Sequence, residues 1–267
     1  MCRVCRFSRI DIDVSAPIVP LRETIVPPPT TDRVNELIET DVNRPQANSS
    51  LLMQLPCKTV TMTTANHQCI VHIRAVPLPS DVIHILVQHA HLVKIANKLS
   101  SAVTLADKSD VLHSVSEHVA TELQQFRQKL GSEFTAAAAE MADEMWSTAV
   151  DRIWSFSRNG TNILLNGVEG YERPSLWSAL DGLGRNVSSL WEYDSAVVSG
   201  FQIATQNGPL CEESLMGVCF VIEKWFIADI NLTDQVLFAE CSKYVLKFLV
   251  DILQLSLDLK TVKAQYF

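Results

Sequence analysis

Residues Gly200 to Phe220 read GFQIATQNGPLCEESLMGVCF. Upstream of Gly200, Val187, Leu190, Trp191 and Val197 fall on one side of a helix, and Phe201 and Ala204 continue it. Asn207-Gly208-Pro209 predicts the stop: glycine takes a left-handed cap and proline cannot continue a helix. From Leu215 to Trp225 the chain alternates, with Val218, Phe220 and Ile222 sharing a face. Helix, punctuated turn and strand in this order indicate helices packed on a sheet, an α+β fold.

Elsewhere the pattern agrees. Ile10, Ile12 and Val14 alternate with Asp11 and Asp13 as a half-buried strand. Ala16 to Ile25, APIVPLRETI, extends it past Pro17 and Pro20, which suit only an edge. Pro27 to Pro56 reads as a linker or insertion, with a candidate short helix at Asp32 to Glu39. Cys57 to Val76 reads as a hairpin that turns at Asn66 and His67. Its arms are Val60, Met62 and Thr64, then Cys69, Val71, Ile73 and Ala75.

Three helices are expected next. The first starts after Pro79 with Ser80 as N-cap and carries Ile83, Leu86, Val87, Ala90 and Val93. The second holds Leu112, Val115, Val119, Leu123, Phe126 and Leu130. Gly131 ends it and Ser132 caps the third, with Phe134, Met141, Met145 and Ala149. Arg152 to Phe156 and Asn162 to Leu165 read as strands around an Asn159-Gly160 turn. Arg173 to Arg185 reads as loop.

The 267 residues suffice for one large domain or two small ones, with a sizeable core. A net charge of −8 argues against a surface built to neutralise phosphates. From Asp151 to Trp225 five basic residues face nine acidic ones, so strong nucleic-acid binding is not expected. The seven cysteines are scattered, and the basic start MCRVCRFSRI has no apolar core of a signal peptide. Reduced thiols in a cytoplasmic or nuclear setting follow. The most apolar region, Tyr244 to Leu259, is broken by Lys247, Asp251 and Asp258, so no membrane span is expected.

Candidate chemistry is sparse. No G-x-x-x-x-G-K-[ST] cradles a phosphate, and no Asn-Lys-x-Asp reads guanine. Cys2 and Cys5 form a lone C-x-x-C. Cys57 and Cys69, with His67 and His72, make a second conceivable zinc set, but strand cysteines are the better reading. His84, His89, His91, His113 and His118 read as helix surface. Glu212 and Glu213 are neighbours, which rarely converge on one substrate. Cys211 and Cys219 have no adjacent base. Trp154, Trp191 and Trp225 read as core, while Trp177 stays open as a base-stacking residue. Catalytic, cofactor-binding and metal residues are therefore each assigned as none.

Four segments carry a resemblance: APIVPLRETI with its Arg22-Glu23-Thr24, CIVHIRAVPLP at Cys69 to Pro79, RIWSFSRNGTNILLN at Arg152 to Asn166, and Val197 to Trp225. In this order they resemble the elongation factor 2 group of translational GTPases. Glu212 to Phe220 tilts the resemblance toward the elongation factor-like GTPases of large ribosomal subunit maturation. The turn Ser157 to Thr161 is shorter than that family's, and the basic, histidine-bearing domain IV tip is missing. The resemblance implies a fragment: end of domain III at 1–26, a linker at 27–56, a domain IV-like unit at 57–225 and a divergent helical tail at 226–267. In the tail Leu246, Leu249, Val250, Leu253 and Leu257 have helical spacing, and loose docking is expected. The fold implied is that of ribosomal protein S5 domain 2, a small sheet with helices on one side and a left-handed crossover.

The function implied is 60S biogenesis, in which the family releases initiation factor six together with the Shwachman–Bodian–Diamond syndrome protein. GTP and magnesium belong to the full-length family, not to this chain, which is expected not to be an enzyme alone. An elongation factor 2-like translocation fragment and a non-catalytic interaction protein are the alternatives.

Overall fold

The structure is a computed structural model. It describes residues 21–26, 53–54, 59–63, 69–101, 117–171, 175–177, 180, 194–227 and 261–266. The expected strand at 8–14, Trp191, His113, the amphipathic stretch 246–257 and the expected linker apart from Met53–Gln54 lie outside these residues, and Met53–Gln54 form a short strand there.

Eight strands are described: β1 (Leu21–Val26), β2 (Met53–Gln54), β3 (Val60–Thr63), β4 (Cys69–Pro77), β5 (Ile153–Phe156), β6 (Ile163–Asn166), β7 (Val218–Ile227) and β8 (Thr261–Tyr266). The helices are α1 (Ser80–Gln88), α2 (Ala90–Ser101), α3 (Glu117–Met141) and α4 (Asp194–Ala204). One six-stranded sheet runs β2-β3-β4-β7-β6-β5. Only β6 and β7 are parallel, as the intervening α4 crossover requires. The hairpin, the Arg152 to Leu165 strands and the Leu215 to Trp225 strand thus share a sheet.

β7 explains the layering. Val218, Phe220 and Ile222 pack with Val71, Ile73, Ala75 and Leu164 against Ala196, Val197, Phe201 and Ala204 of α4. Cys219 and Val221 point the other way, toward Val82, Leu86, Val93, Leu123, Phe126 and Phe134 of α1 to α3. The sheet therefore has helices on both faces, which corrects the one-sided expectation. A strand reading VCFVI is apolar on both sides, and both must be covered.

A bulge then changes the parity. Val71 faces Trp225 and His72 faces Lys224, but Ile73 faces Ile222, so Glu223 is the extra residue on β7. The added residue returns Trp225 to the α4 side. There it meets Trp154 at 5.7 Å and Tyr171 at 5.4 Å between ring centroids.

Three local expectations change. The helix expected to end at Gly131 runs from Glu117 to Met141. Leu123, Phe126, Leu130, Phe134 and Ala137 form one buried stripe across the glycine, and burying it outweighs the roughly 1 kcal/mol cost of an interior Gly. Ser132 Oγ donates back to Lys129 O instead of capping a new helix. At α1 the N-cap is Pro79, with no side-chain cap, and Ser80 is the first helical residue. The tail is not helical throughout: β7 enters it as far as Ile227, and β8 pairs antiparallel with β1 from Thr261↔Val26 to Tyr266↔Leu21. Val262, Ala264 and Tyr266 recur at period two, the strand spacing, which the expected helix overlooked.

The sheet edge at β5 is occupied by a side chain. Asn97 Nδ2 donates to Phe156 O at 2.9 Å, and Phe156 N donates to Asn97 Oδ1 at 3.0 Å. An amide so placed pairs the edge as another strand would.

Candidate functional site

The residues weighed for chemistry do not converge. Cys211, Glu212 and Glu213 are exposed, as are His84, His91 and His118. His89 Nδ1 donates to Ile85 O at 3.0 Å, and its ring meets Phe126. Cys219 is wholly buried, and burial pushes its thiol far above the usual range against the opposing pull of Arg74 and Arg152. Among the described residues no three His, Cys, Asp or Glu side chains cluster as a metal site. Cys2, Cys5, Cys57 and His67 lie outside the described residues. Trp177 is core, not an open stacking platform: it is 1% exposed, and Nε1 donates to Val150 O at 2.9 Å. Its ring meets Phe126 and Phe156 edge-on.

The structure builds its most specific polar site where the sequence reading saw only a recurring triplet. Glu23 of β1 is fully buried. Its Oε1 accepts from Cys211 N at 2.8 Å and Glu213 N at 3.1 Å, and its Oε2 accepts from Leu210 N at 2.9 Å. The backbone adds two bonds, Glu23 N to Ser214 O and Met216 N to Glu23 O. The loop is closed by Gly208 N donating to Glu213 O at 2.7 Å and shaped by Glu212 at φ 57°. Gly208 itself is not left-handed, contrary to expectation. The loop needs glycine there because the carboxylate lies against it.

A second hub holds the next residues. Asn162 is buried, accepts from Val218 N at 3.0 Å and donates to Leu215 O at 2.8 Å. Asn159 Nδ2 donates to the same carbonyl at 3.0 Å. The short turn at Ser157 to Thr161 thereby positions the start of β7. Asn162, just before β6, and Glu23, within LRETIV of β1, carry no local signal for these roles, because the partners are remote in sequence.

At the bulge, Glu223 Oε1 lies 2.9 Å from Arg74 Nε, and Thr59 Oγ1 donates to Oε2 at 2.9 Å. The Arg74 Nε–H makes no hydrogen bond, so that pair is Coulombic by distance and not aligned. Beside it His72 Nδ1 lies 3.1 Å from Thr61 Oγ1. Partial burial lowers the His72 pKa, Lys224 lowers it further and Glu223 opposes both.

Glu23, Asn159 and Asn162 bind backbone groups of the segment that leads into β7, whereas Glu223, Arg74, Thr59, Thr61 and His72 meet side chain to side chain. These elements define an α+β domain. A family model described as the elongation factor-like GTPase 1-like domain matches residues 74–167, from β4 to the end of β6. Elongation factor-like GTPase 1 of Homo sapiens is 35% identical over 232 residues, covering 82% of this chain and 20% of that protein. Ribosome assembly protein 1 of Saccharomyces cerevisiae is 29% identical over 227 residues, covering 82% and 17%. The protein of that name from Schizosaccharomyces pombe is 26% identical over 230 residues, covering 84% and 20%. Over these shared lengths the chain is elongation factor-like GTPase 1-like. It spans about a fifth of the length of the curated relatives it matches.

Proposed function

We propose that this chain is a rigid, non-hydrolytic arm of a ribosome-assembly GTPase. The observation that carries the reading is the 232-residue match to Elongation factor-like GTPase 1, joined to a domain whose buried Glu23 and Asn162 both bind backbone. An arm must transmit force without deforming, and a sheet covered on both faces, with β1 pinned by Glu23 to the loop that leads into β7, suits that task. Its fold is read as the ribosomal protein S5 domain 2 type with a helical layer added; the parallel β6–β7 pair bridged by α4 supports this. The partners are the large ribosomal subunit and the Shwachman–Bodian–Diamond syndrome protein, and the process is release of initiation factor six in the cytoplasm. GTP and magnesium are held outside this chain, which has no phosphate-cradling loop. Among the described residues no helix is long and apolar enough to cross a membrane.

Titration with a fluorescent GTP analogue tests the non-hydrolytic part. The chain is expected to give no saturable signal at micromolar concentrations. Saturable, competable binding would overturn the assignment.

A further inference from the structure

We propose that the Gly208 to Glu213 loop is an oxyanion-binding nest and that Glu23 is its built-in ligand. Backbone amides from Leu210, Cys211 and Glu213 converge on one carboxylate within 3.1 Å. Consecutive amides turned inward by a left-handed residue form such concavities, and here Glu212 supplies that residue. Among the described residues no Lys, Arg or His forms an ion pair with Glu23. Among the described residues its oxygens are met by backbone N–H dipoles. Gly208 leaves the floor open: a Cβ there would stand 2.7 Å from Oε1.

The loop's side chains hide this property. Cys211-Glu212-Glu213 reads as acidic, yet those side chains are exposed while the Cys211 and Glu213 amides face Glu23. The ligand class is a carboxylate. The consequence is that β1 is held by recognition as well as by burial.

The test uses the full chain carrying Glu23→Ala, which vacates the nest and leaves three buried donors without an acceptor. Sodium acetate is compared with sodium chloride at equal ionic strength, reading thermal midpoint and backbone amide shifts. Acetate is expected to raise the midpoint of Glu23→Ala above the chloride control. The Leu210, Cys211 and Glu213 amides should shift with saturation, and the wild type should not respond. An acetate response equal to chloride in Glu23→Ala, or the same response in the wild type, would overturn the proposal. Should Glu23→Ala fail to fold, Glu23→Gln retains the shape and loses the charge. Hydrogen exchange at those three amides should then rise on the order of tenfold, with Phe220 to Ile222 unchanged. Unchanged protection at the three amides would refute the nest.

Discussion

Gly208 and Glu23 occupy one space: a methyl on Gly208 would stand 2.7 Å from Glu23 Oε1, closer than real side-chain carbons approach. The carboxylate is the end of a flexible side chain, but it is buried and held by three amides. It cannot yield without losing them.

Gly208→Ala is therefore expected to destabilise the chain by about 2 kcal/mol, the scale of disrupting charge-assisted hydrogen bonds. Combined with Glu23→Ala, the same change should cost much less than it does alone. Urea denaturation of the four proteins in the cycle measures this coupling. Additive costs would show that Gly208 is needed for another reason.

Asn162 should be nearly as sensitive. Asn162→Leu strands the Val218 N–H and takes a donor from the Leu215 carbonyl, both buried. A loss of about 2–4 kcal/mol follows from one unmade bond at each. Chemical denaturation checks it, and a cost below about 0.5 kcal/mol, the range of surface changes, would contradict the role.

Trp177→Ala should cost about 3–5 kcal/mol, as for large aromatic core residues. Trp177→Phe should cost less while still losing the bond to Val150 O. A surface role would instead leave stability untouched, which thermal unfolding resolves.

The two described free cysteines should separate by reactivity. Cys211 is exposed and Cys219 is buried with a strongly raised pKa. A maleimide reagent is expected to label Cys211 in the native protein and Cys219 only on unfolding. Native labelling of Cys219, read by peptide mass mapping, would contradict the packing of β7.

His72 gives a pH dependence of known sign. Its folded pKa is lowered, so the folded state resists protonation and the unfolded state takes up the proton first. Its contribution is present above the unfolded value near 6.5 and is lost as pH falls from there toward the lower folded value. His72→Asn should flatten the dependence of the thermal midpoint over that window. An unaltered slope would assign it to other groups.

The sequence made some of this legible. Val218, Phe220 and Ile222 announced a strand by alternation, and Asn159-Gly160 announced a turn that the structure keeps, with Gly160 at φ 79°. Local signals failed where distant packing outweighed them. Gly131 looked like a helix end, but the stripe from Leu123 to Ala137 continues through it. Gly208 looked like a cap, but its reason is a carboxylate 185 positions earlier in the chain. Cys219 and Val221 carried the signal for a second helical layer and were passed over in favour of the more regular face. Glu23 stands in the Arg22-Glu23-Thr24 triplet of β1. No local pattern could show that it would find its donors in another segment.

The proposal that this chain supplies an arm of a ribosome-assembly GTPase can be tested in cells. The most direct measurement replaces the aligned stretch of Saccharomyces cerevisiae ribosome assembly protein 1 with this chain, in cells holding no other copy. Sucrose gradients then give the ratio of free large to small ribosomal subunits. The account predicts a ratio near that of the unaltered protein, and a fall toward the depleted level when Glu23→Ala is introduced. A chimera that accumulates to the level of the unaltered protein, yet leaves the ratio at the depleted level, would contradict it.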